Sequence, residues 1–200
     1  MPQESLGERG SYVDWTDEQL AAHCRDSRND DAFAELLRRY QRSVFRLAVS
    51  ILGQEFAADA EDVVQAVMLR VHQGLPSFRG DARVGSWIYR IAFNVSLTVK
   101  ARVRFRAPHV SDELLRTMPS LVSGPDVQWR ERWRQQTVLA CIRELPEAYQ
   151  SALRLYYWLE TSVSDIAFML DLPENTVKSY LFRARQLLRV MLNERGLDGL

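Results

Sequence analysis

The sequence predicts an all-α protein: two small helical domains joined by a flexible linker, the C-terminal one containing a helix-turn-helix. Three observations predict it. Apolar residues return every three or four positions along most of the chain, which is the period of one helix face. No run alternates apolar and polar residues as a strand does. Between residues 107 and 128 the period lapses, and Pro108, Pro119, Pro125, Gly124 and several serines gather. A chain of 200 residues, 46% hydrophobic, is large enough for a core on either side of that gap.

The elements follow in order. Residues 1 to 15 are polar and read as a loose leader. Thr16 and Gln19 fit a capping box that opens a short helix reaching Cys24. Residues 32–52 read as a long amphipathic helix, with Phe33, Leu37, Tyr40, Val44, Leu47 and Ile51 on one stripe and Gly53 as its stop. A second helix spans 58–73 with Val63, Val64, Val67 and Val71 inward, closed by Gly74 and Pro76. After a loop at 77–83, a third helix spans 84–103 with Ile88, Ile91, Val95 and Val99 inward. Together these make one domain, 16–106. The linker at 107–128 could stretch to roughly 70–80 Å if fully extended, with a weak helical turn at Leu114, Leu115 and Met118. The second domain, 129–195, holds helices at 129–143, 147–159, 164–170 and 174–192, and a frayed tail from Gly196.

Charge narrows the function. The 26 basic and 26 acidic residues cancel, yet they are not mixed evenly. From Arg70 to Arg106 there are eight basic residues and one acid, Asp81, so that stretch carries +7 and the remainder −7. A local cationic surface is what contact with a polyanion needs. No window approaches 18 consecutive apolar residues, so a membrane span is not expected. The start has neither a basic region nor an apolar core of a signal peptide, and the cytoplasm is the expected compartment. Cys24 and Cys141, 117 positions apart, form no disulfide framework and no zinc motif.

The window Val163–Leu188 is the most specific feature. Val163, Ile166, Ala167 and Leu170 make the apolar face of a short helix, and Pro173 suits the first turn of the next. Val177, Leu181, Ala184 and Leu188 line the buried side of that second helix. Its outer side holds Asn175, Lys178, Ser179, Phe182, Arg183, Arg185, Gln186 and Arg189. Such a face suits a major groove: Asn can pair with adenine, Lys or Arg with guanine, and later arginines with phosphate. An ordinary helical hairpin with a solvated face has the same pattern.

Around residues 77–93, Phe78, Trp87, Tyr89 and Phe93 sit among Arg79, Arg83 and Arg90. Cationic surface with exposed aromatics stacks unpaired bases, and Asp81 and Ser86 add groups able to read an extruded one. Core aromatics beside basic residues that suit the helix dipole would read the same way.

No catalytic constellation, cofactor site or metal site is expected. His23, His72 and His109 lack partners at ligand spacing. Asp59, Glu61 and Asp62 sit at a helix start, where acids suit the dipole. No glycine-rich phosphate loop is present. A small-molecule substrate is not expected either.

Taken together, the motifs resemble an alternative sigma factor of bacterial RNA polymerase, of the extracytoplasmic-function (ECF) group in the sigma-70 family. The resemblance spans 17–192. It is carried by "DAFAELLRRYQRSVFRLA", by "DAEDVVQAVMLRVHQGLPSFRGDARVGSWIYRIAFNVSL", by "IRELPEAYQSALRLYYW" and by "VSDIAFMLDLPENTVKSYLFRARQLL". Two conventional readings remain beside it: a helix-turn-helix repressor or activator that binds duplex operator alone, and a protein-interaction adaptor.

The resemblance implies roles. Domain 16–106 would be region 2, and 129–195 region 4. Asp62, Gln65 and Leu69 would bind the clamp helices of core RNA polymerase's largest subunit. The −10 element, unwound, would meet Phe78, Arg79, Asp81, Arg83, Ser86, Trp87, Arg90 and Asn94. The −35 element would meet Glu174, Asn175, Lys178, Ser179, Arg183 and Arg185. Strand opening for transcription initiation is implied, as is an anti-sigma factor partner. The chain departs from the family's habits at Ala66, Gly85, Asn175 and Tyr180.

Overall fold

A computed structural model describes residues 12–27, 29–106 and 127–197. The described residues are helical throughout, apart from turns, and form two compact units, 1–100 and 101–200. The expected all-α architecture in two helical regions is the observed one. The expected linker lies outside the described residues, except that Val127 and Gln128 already open a helix. The turn expected at Leu114, Leu115 and Met118 also lies outside them.

The first unit is built on α1 (Asp17–Ser27), α2 (Asp30–Leu52), α3 (Ala57–Gly74) and α4 (Val84–Arg106) as far as Lys100. The capping box at α1 forms as expected: the Thr16 N–H donates to Gln19 Oε1 at 2.8 Å, and the Gln19 N–H donates to Thr16 Oγ1 at 3.2 Å. Residues 1–11 of the expected leader lie outside the described residues, and its last part, 12–15, is held rather than loose. Tyr12–Asp14 forms a 3-10 turn, and Arg39 on α2 donates to the carbonyls of Tyr12, Val13 and Trp15. One planar five-donor guanidinium thereby satisfies a bend that helix period does not announce. Arg39 also binds Asp17 and Glu35 at 2.9 and 2.8 Å.

Asn29 caps α2, its side chain accepting from the Ala32 N–H at 2.9 Å. The buried stripe of α2 runs through Ala32, Leu36, Tyr40, Val44, Leu47, Ala48, Ile51 and Leu52. Leu36, rather than Phe33 or Leu37, is the large side chain fully buried early in the helix; the other two are half-buried at its edges. In α3, Val63, Val64, Val67 and Val71 are buried as expected, with Ala60. Each buried valine contributes about 1.5–3 kcal/mol relative to exposure. In α4 the stripe is rotated. Val84, Ile88, Ala92, Phe93, Val95 and Val103 are buried, whereas Ile91 and Val99 lie half-buried at its margin.

Two glycines allow close approaches. A Cβ on Gly85 would lie 2.7 Å from Tyr40 Oη, and one on Gly74 would lie 2.9 Å from Trp87 Cζ2. Gly85, the departure from family habit, is therefore fitted to the tyrosine beneath it.

The second unit comprises α5 (Val127–Glu144), α6 (Glu147–Trp158), α7 (Val163–Leu170) and α8 (Glu174–Glu194). Its core includes Ile142, Leu153, Leu155, Ile166, Met169, Val177 and Leu181. Between α5 and α6, the Gln150 amide donates to the carbonyls of Arg143 and Leu145, and its oxygen accepts from Arg154 at 2.8 Å. Arg154 is only 6% exposed, and burial, with Arg143 nearby, lowers its pKa to about 10. Ser162 caps α7, accepting from the Asp165 N–H at 3.1 Å. Asp171 ends α7 in the left-handed region, φ 57°. Pro173 is the N-cap residue of α8 and not part of its first turn.

The expected fraying does not begin at Gly196; residues 198–200 of that tail lie outside the described residues. Gly196 takes φ 72°, its N–H donates to the Asn193 carbonyl, and the Leu197 N–H reaches back to the Leu192 carbonyl at 2.9 Å. This is the Schellman arrangement, and its apolar closure is Leu197, buried with Cys141 and Leu192. Among the described residues no helix is long and apolar enough to cross a membrane.

Candidate nucleic-acid interface

In the second unit α7 and α8 form the expected helix-turn-helix. Val177, Leu181 and Ala184 are buried and fix the rotation of α8. Glu174, Asn175, Lys178, Ser179, Phe182, Arg183 and Arg185 are all exposed. The local interactions differ among them. Lys178 Nζ lies 3.8 Å from Glu174 Oε2, a loose surface pair. The Ser179 hydroxyl donates to the Asn175 carbonyl at 2.8 Å. Arg185 is tethered to α6: its Nε donates to Tyr157 Oη at 3.0 Å, and its guanidinium lies over the rings of Tyr156 and Tyr157. Phe182 is 61% exposed and Tyr157 56% exposed. Tyr157 escaped the sequence reading, because the run Leu155-Tyr-Tyr-Trp158 looks like core until α6 ends one residue later.

In the first unit the loop after α3 and the start of α4 bring Phe78 and Trp87 together. Their ring centroids are 4.8 Å apart, and the indole rests against Gly74. Both are half-buried, leaving an aromatic ledge beside the exposed Arg79, Asp81 and Arg83. Gly80 takes φ 80°, which aims the tip of this loop. Arg90 is half-buried and Asn94 exposed, farther along α4. One expectation is not met there, and two of the four aromatics take the core alternative. Ser86 is 5% exposed, inside the bundle rather than on the ledge. Phe93 is buried. Tyr89 turns toward α2, donating to Ser43 Oγ at 2.9 Å and packing edge-on to Tyr40 at 5.5 Å. The cause is rotation: with Ile88, Ala92 and Val95 inward, Ser86 and Phe93, seven residues apart on one stripe, also fall on the buried side of α4.

Tyr40 in turn donates to the Asp17 carboxylate. Burial first, and then the bond and charge of Asp17, push its hydroxyl well above the usual tyrosine range. Glu35, hydrogen-bonded by Arg38 and Arg39, is held down to about 2. On α3, Asp62, Gln65 and Leu69 are exposed along one stripe, and Leu69 is 58% exposed.

Residues 36–105 match the family profile "Sigma-70 region 2", and residues 135–188 match "Sigma-70, region 4". The ECF RNA polymerase sigma factor SigM of Mycobacterium tuberculosis is 34% identical over 188 residues, spanning 94% of this chain and 90% of that one. The chain belongs to the ECF sigma factors of the sigma-70 family. This sigma factor therefore binds RNA polymerase and recognises promoters, and is not an enzyme. Among the described residues no group of His, Cys, Asp and Glu is placed to hold a metal ion. Two solved structures share the fold. CnrH, in complex with the cytosolic domain of CnrY, has a TM-score of 0.64 at 22% identity over 88% of this chain and 96% of that one. The sigma factor RpoE of Bartonella quintana, in complex with the anti-sigma factor NepR, has a TM-score of 0.57 at 21% identity over 80% of this chain and 96% of that one.

Proposed function

We propose that this ECF sigma factor grips one promoter in two forms, the −35 element as duplex and the −10 element as separated strand. The observation that carries the reading is a contrast between two exposed faces. On α8, Asn175, Lys178, Ser179 and Arg183 stand on a straight helix side, the shape a major groove accepts. The Phe78–Trp87 ledge, flanked by Arg79 and Arg83, has the aromatic and cationic character that favours unpaired bases.

In this mechanism α8 docks first. Asn175, Lys178 and Arg183 read base edges near its N-terminal turns, and Arg185, held by Tyr157, meets phosphate. Energy from a base held out of the stack by Phe78, Trp87, Asp81 and Arg83 then offsets unstacking, a few kcal/mol per step. Arg90 and Asn94 continue the strand's path along α4. Ser86 acts from inside, supporting the start of α4. The exposed stripe Asp62, Gln65 and Leu69 contacts the largest subunit of core polymerase, which supplies all the phosphodiester chemistry. The site of action is the cytoplasm, and the exposed faces are available to an anti-sigma factor, as RpoE is to NepR.

The test is reconstituted transcription with core polymerase, combined with permanganate footprinting. Lys178→Ala and Arg183→Ala weaken use of the −35 element. Trp87→Ala leaves docking but removes permanganate-reactive thymines at −10. Tight duplex binding by the free protein in gel shifts, with no specific start when polymerase is added, would replace this reading with a conventional repressor or activator.

A further inference from the structure

The second half of α2 carries a charge pattern that the reading above leaves unused. From Leu36 to Leu52 there are four arginines and no acid. Two of the four are neutralised locally: Arg38 by Glu35 at 2.8 Å, and Arg39 by Glu35 and Asp17. Arg42 and Arg46 are exposed and form no ion pair among the described residues. They stand one turn apart on the same helix face, where like charges repel. They also lie too far from the C-terminus at Leu52 for the helix dipole to account for Arg42.

Their position joins them to α4. Ser43, beside Arg42, receives the Tyr89 hydroxyl at 2.9 Å, and Tyr40 packs against the same ring. Burial pushes the Tyr89 hydroxyl up, and the Ser43 bond and the Arg46 charge partly offset it, so Arg46 lies within electrostatic reach of that ring. Asp17, the acid that also acts on Tyr89, is already taken up by Arg39 and Tyr40. Tyr89 is followed directly by Arg90, on the face of α4 that leads to Asn94. The cationic surface therefore does not end at α4 but crosses Tyr89 onto α2.

We infer that Arg42 and Arg46 form a second phosphate-binding ridge, which holds the sugar-phosphate backbone of promoter DNA beside the strand captured by α4. This rests on the proposed −10 reading. The contact is with phosphate and carries no base information; it adds affinity that falls with salt.

The experiment uses holoenzyme assembled from the full chain and a fork-junction promoter DNA, with binding measured from low to high salt. In Arg42→Gln/Arg46→Gln, affinity falls at low salt by the same factor on every promoter sequence. Its logarithmic salt slope shrinks by about 1.4, two single-strand phosphate contacts at about 0.7 each. Over a four-fold rise in salt the double variant thus loses about seven-fold less affinity than wild type. Affinity for core polymerase stays unchanged. An unchanged slope, with Trp87→Ala still blocking strand opening, overturns the ridge and leaves the −10 reading standing. Reduced core affinity with an unchanged DNA slope makes the arginines a contact to acidic polymerase surface, and also overturns it. If Trp87→Ala has no effect either, the −10 reading falls and the ridge with it.

Discussion

Gly85→Ala tests the packing of the first unit in a way that can be worked from distances. The new methyl would sit 2.7 Å from Tyr40 Oη, while the next ring atoms, Cε1 and Cζ, are at 3.4 Å. The hydroxyl is the obstacle, and it cannot swing away freely because it donates to Asp17. Overpacking of this kind costs about 1–3 kcal/mol. Shifting the hydroxyl off Asp17 instead weakens a bond to a charged group, worth about 1.5–3 kcal/mol, so either way of relieving the clash costs about 1–3 kcal/mol. Removing a helical glycine returns up to about 1 kcal/mol. The expected net loss is therefore up to about 3 kcal/mol, which at about 4–8 °C for each kcal/mol lowers the first unit's transition by up to roughly 24 °C. Tyr40→Phe removes the one atom inside 3 Å. In that background Gly85→Ala should cost close to nothing, giving a coupling of about 1–3 kcal/mol between neighbours. The assay is calorimetry or urea unfolding of the four proteins of the cycle. An equal cost in both backgrounds would refute the argument, since the hydroxyl would then not be what the methyl meets.

Three further predictions concern other contacts. Because Glu35 falls from an ordinary value of 4.5 to about 2 in the folded chain, its contribution is present above 4.5 and is lost as pH drops toward 2. Trp15 fluorescence should report release of the Tyr12–Trp15 segment over that range, and Glu35→Gln should flatten the profile. Gly196→Ala should cost about 1–2 kcal/mol, since a side chain at φ 72° is strained, and should expose Leu197 to hydrogen exchange. Glu174→Gln frees Lys178 and removes an acid from the DNA side of α8; duplex affinity should rise several-fold at low salt and converge with wild type at high salt.

Much of this was legible in the sequence because period and punctuation are local. The four valines of α3 lie where their spacing puts them, and Thr16 with Gln19 forms its box, since each is decided within one or two turns. The helix-turn-helix was legible for the same reason: Val177, Leu181 and Ala184 settle which side of α8 faces water. What escaped depends on partners distant in sequence. No pattern near Tyr12 announces Arg39, 27 positions away, as the group that holds it. The buried side of α4 reaches round to Ser86 and Phe93, and α2 meets that helix at Gly85 and Tyr89, so a stripe drawn from Ile88, Ile91, Val95 and Val99 misjudges its edges. Leu197 was missed because a closing apolar contact after a glycine is a single residue without period.

The indole of Trp87 fills the space that a methyl on Gly74 would need, so the last turn of α3 and the aromatic ledge share a wall with no slack. Leu69, on the outward side of the same helix, is five residues upstream of that wall. The rod that would meet the polymerase and the shelf that would cradle a nucleobase therefore touch directly, the last turn of the one against the indole of the other.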